Sequence, residues 1–243
     1  MAIHMFYDGY LLTSDLALAI ILIIFGFVTV VGNVLVCLVY VKDPLKNLRT
    51  VSNFFVVNLA VADILVGVTV EPLNASSFWE KENREILFAF YVFAILSCVC
   101  SILNIAALMM DRHLAVSKPF KYRFIVTSRR VKLSLFVIWL YSVHFSLLPV
   151  LGWRTKSFQI YLYCFGVLLP TGIMLVCYYG LLRILKKKTE ALKMSSCNKE
   201  SISLKKIISR ERRVSTTVLI MLMVFLFAWC PFVVVDFILV FCT

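Results

Sequence analysis

Six long apolar stretches alternate with short polar segments along this chain. Each stretch reaches the ~20 apolar residues that a helix needs to cross the hydrocarbon core of a membrane. Because backbone groups in lipid must find hydrogen-bond partners within their own segment, we predict that all six are α-helices. The predicted spans are residues 16–41, 51–73, 86–110, 131–151, 158–185 and 214–241.

This pattern predicts an all-α fold, a polytopic transmembrane helix bundle. Hydrophobic residues make up 62% of the 243 residues and charged residues only 16%. A soluble domain of this length could not bury so much apolar surface. We expect residues 1–15 to form an extracellular tail and residues 16–243 a single transmembrane domain. That domain includes a basic cytoplasmic loop at about residues 186–213.

The formal net charge of +12 is high enough for nucleic-acid binding, but its distribution argues against it. Most of the 25 basic residues lie in the segments that follow the first, third and fifth stretches. Alternate loops that are rich in lysine and arginine indicate the cytoplasmic side of a membrane protein. We therefore predict a multi-pass plasma-membrane protein with an extracellular N-terminus.

Asp111-Arg112-His113 lies where the third apolar stretch meets a basic segment. Charged groups at a membrane edge are costly and often mark a functional site. Glu211 lies at the inner end of the sixth stretch, so its carboxylate could pair with Arg112 and hold the cytoplasmic face closed. The alternative is a solvated run of charges, which is common in such segments.

Polar residues within the apolar stretches predict a second interior site. Asp63 lies in the middle of the second stretch, and Asn33 has a comparable depth in the first. Ser97, Ser101 and Asn104 follow at helical spacing and therefore share one face of the third. Together they could form a pocket for a cation or a few waters. The alternative is a hydrogen-bonded packing site that joins the helices.

Pro170 and Pro231 should kink or loosen the fifth and sixth helices, because each frees a backbone carbonyl. The aromatic residues beside Pro231 indicate either a hinge or ordinary aromatic packing. The eight cysteines show no metal-ligand spacing, and most fall inside apolar stretches. We expect no metal site and no structural disulfide.

Several of these residues, in their order along the chain, resemble the motifs of the rhodopsin-like (class A) G-protein-coupled receptors. The resemblance covers nearly the whole chain, and six motifs in register are very specific. The third stretch ends on Asp111-Arg112-His113, where the family has Asp-Arg-Tyr. The other matching positions are Gly32-Asn33, residues 58–63 (Asn-Leu-Ala-Val-Ala-Asp), Pro119-Phe120, Trp139, Pro170 with Tyr178, and Phe225 with residues 227–231.

The resemblance implies a seven-transmembrane receptor fold, of which six spans are present. It implies that an extracellular ligand activates a heterotrimeric G-protein, without enzymatic activity. The expected partners are that ligand, the G-protein and the lipid membrane, with no nucleic acid. No cofactor is expected other than a possible sodium ion at Asp63.

The resemblance also implies roles for individual residues. Asp63, Asn33 and Ser101 would form the sodium pocket. Arg112 would pair with Asp111 and Glu211 in the inactive receptor and be released to meet the G-protein. The other members of the activation switch would be Ile102, Pro170, Tyr178, Phe225, Trp229 and Pro231, with Trp229 also forming the floor of the ligand cavity.

The chain departs from the family pattern at two places. It stops twelve residues after Pro231, so the seventh span and its Asn-Pro-x-x-Tyr motif are missing. It is expected to be either a fragment of a longer receptor or a natural six-span form that acts on a full-length partner without signalling. Leu87 stands where the family has a cysteine, and the second outer loop is short, roughly residues 152–156. The usual outer disulfide is therefore expected to be missing.

The ligand is not identified by these residues. Ala94 stands where amine receptors carry an aspartate, which disfavours a conventional monoamine. Glu71 and Asp236, near the outer ends of their helices, could attract a cationic or peptide ligand or could be solvated rim carboxylates. An opsin stays open, because its retinal-binding lysine would lie in the missing span. The candidate pocket residues are Glu71, Ala94, Ile95, Cys98, Gln159, Phe232 and Asp236.

Six spans also permit a transporter or channel. However, no stretch carries arginine at every third position, as a voltage sensor would, and no loop resembles a re-entrant filter. The sequence shows neither a phosphate-binding loop nor a nucleophile-base pair, which argues against an enzyme. A receptor is therefore the favoured interpretation.

Overall fold

The computed structural model describes residues 16–43, 51–77 and 83–194, together with isolated positions between 209 and 234. Within these residues, five helices are long and apolar enough to cross a membrane. They confirm the all-α fold and the first five predicted spans. The sixth predicted span is described only at isolated positions. The predicted site residues that lie outside the described residues are Glu211, Phe225, Trp229, Pro231, Phe232 and Asp236.

The five spans follow one another along the chain with short connections. Span three is a single long helix that includes the whole Asp111-Arg112-His113 triplet. A short helix, Pro119–Ile125, connects its inner end to span four. The spans are one, Leu16–Val41; two, Val51–Leu65 with Val66–Val70 and Glu71–Ser76; three, Arg84–Ser117; four, Ser128–Leu147; and five, Lys156–Tyr161 with Leu162–Leu168 and Leu169–Met194.

The helix of span five continues to Met194 and therefore passes the predicted end of that span. The first part of the predicted basic loop, from residue 186, is thus helical. Lys188 on this extension donates from Nζ to the carbonyl of Val116, 2.9 Å away, in the last turn of span three. A cation at a helix C-terminus satisfies a carbonyl that has no partner within the helix. The extension therefore joins the inner ends of spans three and five.

Two π-helical segments, Val66–Val70 and Leu162–Leu168, interrupt spans two and five. In both spans a proline follows two residues after the segment, at Pro72 and Pro170. Because proline has no backbone N–H, the carbonyl four residues before it loses its α-helical partner. That carbonyl lies within the π segment in both spans, where one extra residue is accommodated in the turn. The sequence predicts a disturbance at Pro170, whereas the one at Pro72 was not predicted.

Span three forms the centre of the described bundle. It packs against spans two, four and five, and most of its residues below the outer turns are buried. Among the described residues, span one packs mainly against span two and exposes most of its apolar side chains. In water such exposure would be unfavourable, but these side chains have the composition expected at a lipid-facing surface.

Spans one and two approach closely where two glycines meet. A Cβ atom placed on Gly67 would lie 2.7 Å from the carbonyl oxygen of Gly26 and 2.7 Å from Cγ2 of Val30. The absence of side chains therefore lets the two backbones come together, as is common between membrane helices.

Candidate functional site

The Asp111 carboxylate is engaged at both of its oxygens. The hydroxyl of Tyr122, on the short helix Pro119–Ile125, donates to Oδ1 at 2.7 Å. Nη2 of Arg112 lies 3.2 Å from Oδ2. Asp111 is only 5% exposed, so both contacts act in a site that is shielded from water. The structure thus brings Asp111 and Arg112 together and adds Tyr122, which the motif analysis did not single out.

His113, the third residue of the triplet, contacts span five. Its Nδ1 lies 3.1 Å from the carbonyl oxygen of Cys177. A Cβ atom on Gly180 would lie 2.7 Å from Cε1 of the same ring. The imidazole therefore fits against a surface of span five that only glycine leaves open. Its size and shape are complementary to that position, which explains how histidine is accommodated at the triplet's third place.

A chain of hydrogen bonds links spans four, two and three in the middle of the bundle. Nε1 of Trp139 donates to Oδ1 of Asn58 at 2.9 Å, and Nδ2 of Asn58 donates to Oδ1 of Asn104 at 2.8 Å. Nδ2 of Asn104 then donates to the backbone carbonyl of Cys100 at 2.8 Å. Asn104 belongs to the polar face predicted on span three. Asn58 is the central member, and its role follows only from the contacts.

Asp63 and Ser101, two of the three predicted sodium-pocket residues, face each other between spans two and three. Their side chains lie close enough to interact, and Ser101 is buried. The third, Asn33, donates from its amide nitrogen to the carbonyl of Thr29 in its own helix, at 2.9 Å. The structure therefore brings together a carboxylate and a hydroxyl that could bind a small cation, whereas the described bond of Asn33 is within span one.

The described activation-switch residues below this pocket lie in the packed interior. Ile102 is fully buried in the main hydrophobic cluster, and Tyr178 packs against that cluster while remaining partly exposed. Pro170 is buried directly after the π segment of span five. These placements put Ile102 and Tyr178 in one hydrophobic cluster and Pro170 at the irregular part of the neighbouring helix.

The described ligand-pocket candidates occupy different environments. Ile95 is buried among apolar residues of spans three to five, and Gln159 is 5% exposed. Ala94 and Cys98 are half-buried. Glu71 is also half-buried, and its Oε2 is enclosed without a hydrogen-bond partner among the described residues. Glu71 is thus the candidate whose carboxylate is best placed to accept a further donor, whereas Ile95 serves the packing of the bundle.

The second outer loop is attached to span three through Arg154. Its guanidinium carbon lies 4.1 Å from the centre of the Phe88 ring, and Nε donates to the carbonyl of Pro149 at 2.7 Å. Leu87, where the family has a cysteine, is buried beside Phe88. The five described cysteines, Cys37, Cys98, Cys100, Cys164 and Cys177, are free thiols. A cation-π contact therefore joins the second outer loop to span three beside Leu87, the position where the family has the cysteine of its outer disulfide.

Comparisons with known proteins agree with these motifs. A family model described as "7 transmembrane receptor (rhodopsin family)" matches residues 32–160 and 153–243. A melanopsin-like protein of Danio rerio is 28% identical over 88% of this chain and 47% of its own length. The histamine H2 receptor of Cavia porcellus is 29% identical over 88% of this chain and 64% of its own length.

Human melanopsin is 26% identical over 88% of the chain and 50% of its own length. The chain thus spans between about half and just under two thirds of these relatives. The matched family consists of membrane receptors and not of enzymes. With a family match that covers nearly the whole chain, and with the motif residues assembled as described, this protein belongs to the rhodopsin family of seven-transmembrane receptors.

Proposed function

We propose that this protein converts the binding of an extracellular ligand into the activation of a heterotrimeric G-protein. The observation that carries the proposal is the double engagement of Asp111, by Arg112 and by Tyr122. In this arrangement the Arg112 guanidinium is held against its own helix. A ligand that binds more tightly to another helix packing would shift the population towards a state in which Arg112 is released.

The short helix Pro119–Ile125 supports a partner surface at the same end of the bundle. Phe120 is 91% exposed and Phe124 is 79% exposed on this helix, while Tyr122 ties it to Asp111. Exposed aromatic side chains often act as anchors at protein interfaces. A change at Asp111 would therefore be transmitted directly to a helix that presents apolar side chains to the cytoplasm. By the distribution of basic residues, this end is cytoplasmic and the N-terminus is extracellular.

The second partner of Arg112 in this proposal is Glu211, which lies outside the described residues. Its removal should raise basal activity, because one restraint on Arg112 would be lost. At the outer end, the half-buried Glu71 carboxylate is the proposed anchor for a cationic group of the ligand. The relatives include histamine receptors, but Ala94 offers no charge to an amine, so a different anchor is required.

The function can be tested in lipid nanodiscs that contain the 243-residue chain and one purified heterotrimeric G-protein at a time. The uptake of a non-hydrolysable GTP analogue by the α-subunit is the readout. Tyr122→Phe should increase uptake, because it removes one restraint at Asp111, and Phe120→Ala should reduce it. Phe136→Ala, which removes a 64% exposed ring from span four, is the matched control and should leave uptake unchanged.

If the protein contacts the G-protein through the short helix, Phe120→Ala should lower the uptake of the GTP analogue and Phe136→Ala should not. Uptake equal to that of empty discs for every G-protein class, including with Tyr122→Phe, would reject the proposed function. Equal effects of the two alanine variants would reject the role of the short helix.

A further inference from the structure

A large groove opens between spans three, four and five on the cytoplasmic half of the bundle. Its volume is about 790 Å³, which is within the ~300–1,000 Å³ typical of small-molecule sites. Leu133 and Val137 of span four and Ile173 of span five line it and are 61%, 52% and 39% exposed. Because these side chains belong to the lipid-facing surface of their spans, the groove is open to the membrane.

The groove extends from the surface into the interior of the bundle. Its lining reaches Phe55 of span two, which is 5% exposed, and passes Ala106 and Ala107 of span three. The small alanine side chains leave room beneath span four. An occupant would therefore contact residues of four spans, in contrast to a lipid that only touches the outer surface.

The length of the groove matches one leaflet of a bilayer. At its outer end the hydroxyl of Tyr141 donates to the carbonyl of Phe165 at 3.1 Å and bridges spans four and five. At its cytoplasmic end lies Arg130. Tyr141 follows Arg130 by eleven positions, which at ~1.5 Å per residue gives ~16 Å along the helix. Half of a ~30 Å hydrocarbon core is ~15 Å, the depth reached by one acyl chain.

The cytoplasmic end of the groove is basic. Nη1 of Arg130 donates to the carbonyls of Phe124 and Ile125, at 3.1 and 2.9 Å, which fixes the guanidinium at the rim. A guanidinium has five N–H donors, and those on Nε and Nη2 have no partner among the described residues, so they can donate to an acceptor. Arg129 and Lys132 lie exposed among the first five residues of span four, which include no acidic residue. This end is complementary to an anion at the height of the lipid head groups.

We propose that the groove between spans three, four and five binds one anionic phospholipid of the cytoplasmic leaflet. One acyl chain occupies the apolar groove as far as Tyr141, and the phosphate-bearing head group is bound by Arg130. The cytoplasmic leaflet is the leaflet that supplies phosphatidylserine and phosphoinositides. The occupied groove also touches Asp111 and His113, so lipid occupancy is coupled to the contacts that join span three to Tyr122 and to Cys177.

The test uses the 243-residue chain in phosphatidylcholine nanodiscs that contain a small fraction of a photoactivatable lipid. Phosphatidylserine and phosphatidylcholine probes carry the same diazirine-labelled acyl chain, and mass spectrometry maps the cross-linked residues. We expect the phosphatidylserine probe to label Met110 and Val137 about five-fold more than the phosphatidylcholine probe. Five-fold is the change in an equilibrium constant that ~1 kcal/mol produces for one basic residue at an anionic surface.

Two pairs of variants test the apolar groove and the charge at its basic end separately. Ser134→Trp fills the groove and should abolish labelling by both probes, whereas Phe136→Trp, on the same span but outside the lining, should not. Arg130→Gln should reduce the preference for phosphatidylserine about five-fold. Arg130→Lys changes the bonds to the two carbonyls but retains the charge. Because the charge attracts the anionic head group, this variant should keep most of the preference for phosphatidylserine.

Because the two probes are compared within each variant, a misfolded variant is recognised by the loss of both labels together with a lowered melting temperature. Equal labelling of the wild-type groove by the two probes would overturn the proposal, since it would show an unselective lipid surface. Groove labelling that survives Ser134→Trp, or cross-links from the groove to a second copy of the chain, would also overturn it.

Discussion

The indole of Trp139 donates a hydrogen bond to the side chain of Asn58, 2.9 Å away, across the contact between spans four and two. The same side chain of Asn58 donates a hydrogen bond to Asn104, so its amide connects spans four, two and three. A polar network that is fully satisfied favours one arrangement of the spans, and a partly satisfied network is costly. The contact between Trp139 and Asn58 therefore helps to fix how these spans pack.

Replacing Asn58 by alanine should lower the stability of the bundle by about 1–3 kcal/mol. The change leaves the indole N–H of Trp139 and the side-chain oxygen Oδ1 of Asn104 without the partners that Asn58 provides. Thermal unfolding of the chain in detergent micelles measures the effect. Trp139→Phe removes only the donor and should cost less than Asn58→Ala. Equal stability of the wild type and Asn58→Ala would show that the network contributes nothing.

Replacing Gly180 by alanine should destabilise the contact between spans three and five by about 1–2 kcal/mol. The added methyl group would meet the His113 ring at 2.7 Å, so the ring must leave the carbonyl of Cys177. Combining this change with His113→Ala should recover part of the loss, as a double-mutant cycle can measure. Melting temperatures of the four proteins give the coupling energy.

Gly172→Ala provides the matched control on the same helix. An added Cβ at Gly172 meets no atom within 4 Å, so it should be neutral or stabilise span five by up to about 1 kcal/mol. If Gly172→Ala and Gly180→Ala lower the melting temperature equally, the cause is not the His113 contact.

Replacing Arg154 by alanine should loosen the second outer loop. The change removes the contact with Phe88 and the bond to Pro149, and a partly exposed cation-π pair contributes about 0.5–2 kcal/mol. Hydrogen exchange of residues 152–156 should become faster. Arg154→Lys should retain part of the protection, and Arg84→Ala, at an exposed outer arginine, should retain all of it. Unchanged exchange in Arg154→Ala would show that the loop is held by other contacts.

Replacing Asp63 by asparagine should remove a sodium-specific stabilisation of the chain. The wild type should melt at a higher temperature in sodium chloride than in choline chloride at equal ionic strength, because only sodium can bind the Asp63 carboxylate. Ser101→Ala, which removes the facing hydroxyl, should weaken the difference without abolishing it. A sodium effect of full size in Asp63→Asn would reject this site.

The five described spans were predictable because each must contain enough apolar residues to cross a membrane. The pairing of Asp111 with Arg112 was also expected, because the triplet resembles the family's Asp-Arg-Tyr motif. Tyr122 was not, because its contact with Asp111 depends on how the chain turns between the two residues. No local pattern marks a half-buried tyrosine on a short helix as a partner of a buried carboxylate.

The other contacts that sequence reasoning missed are also long-range ones. The fit of His113 against Gly180 joins two spans, and the contact of Arg154 with Phe88 joins a loop to a span. Hydropathy determines which residues enter the membrane, but it does not determine which helix faces meet. Asn58 illustrates the difference, since its place in a motif predicts importance and only packing shows its two partners.

The π segments before Pro72 and Pro170 affect how this chain is aligned with its relatives. Each residue of a helix turns the following ones by ~100°, so one extra residue in a turn shifts every later side chain to a neighbouring face. To align a relative that lacks the extra residue, a one-residue gap must be placed inside the span of that relative. Positions beyond the gap, such as Glu71, would otherwise be equated with residues that point in a different direction. Insertions and deletions inside these spans would therefore change the geometry of the proposed binding site, even when they leave the span's length almost unaltered.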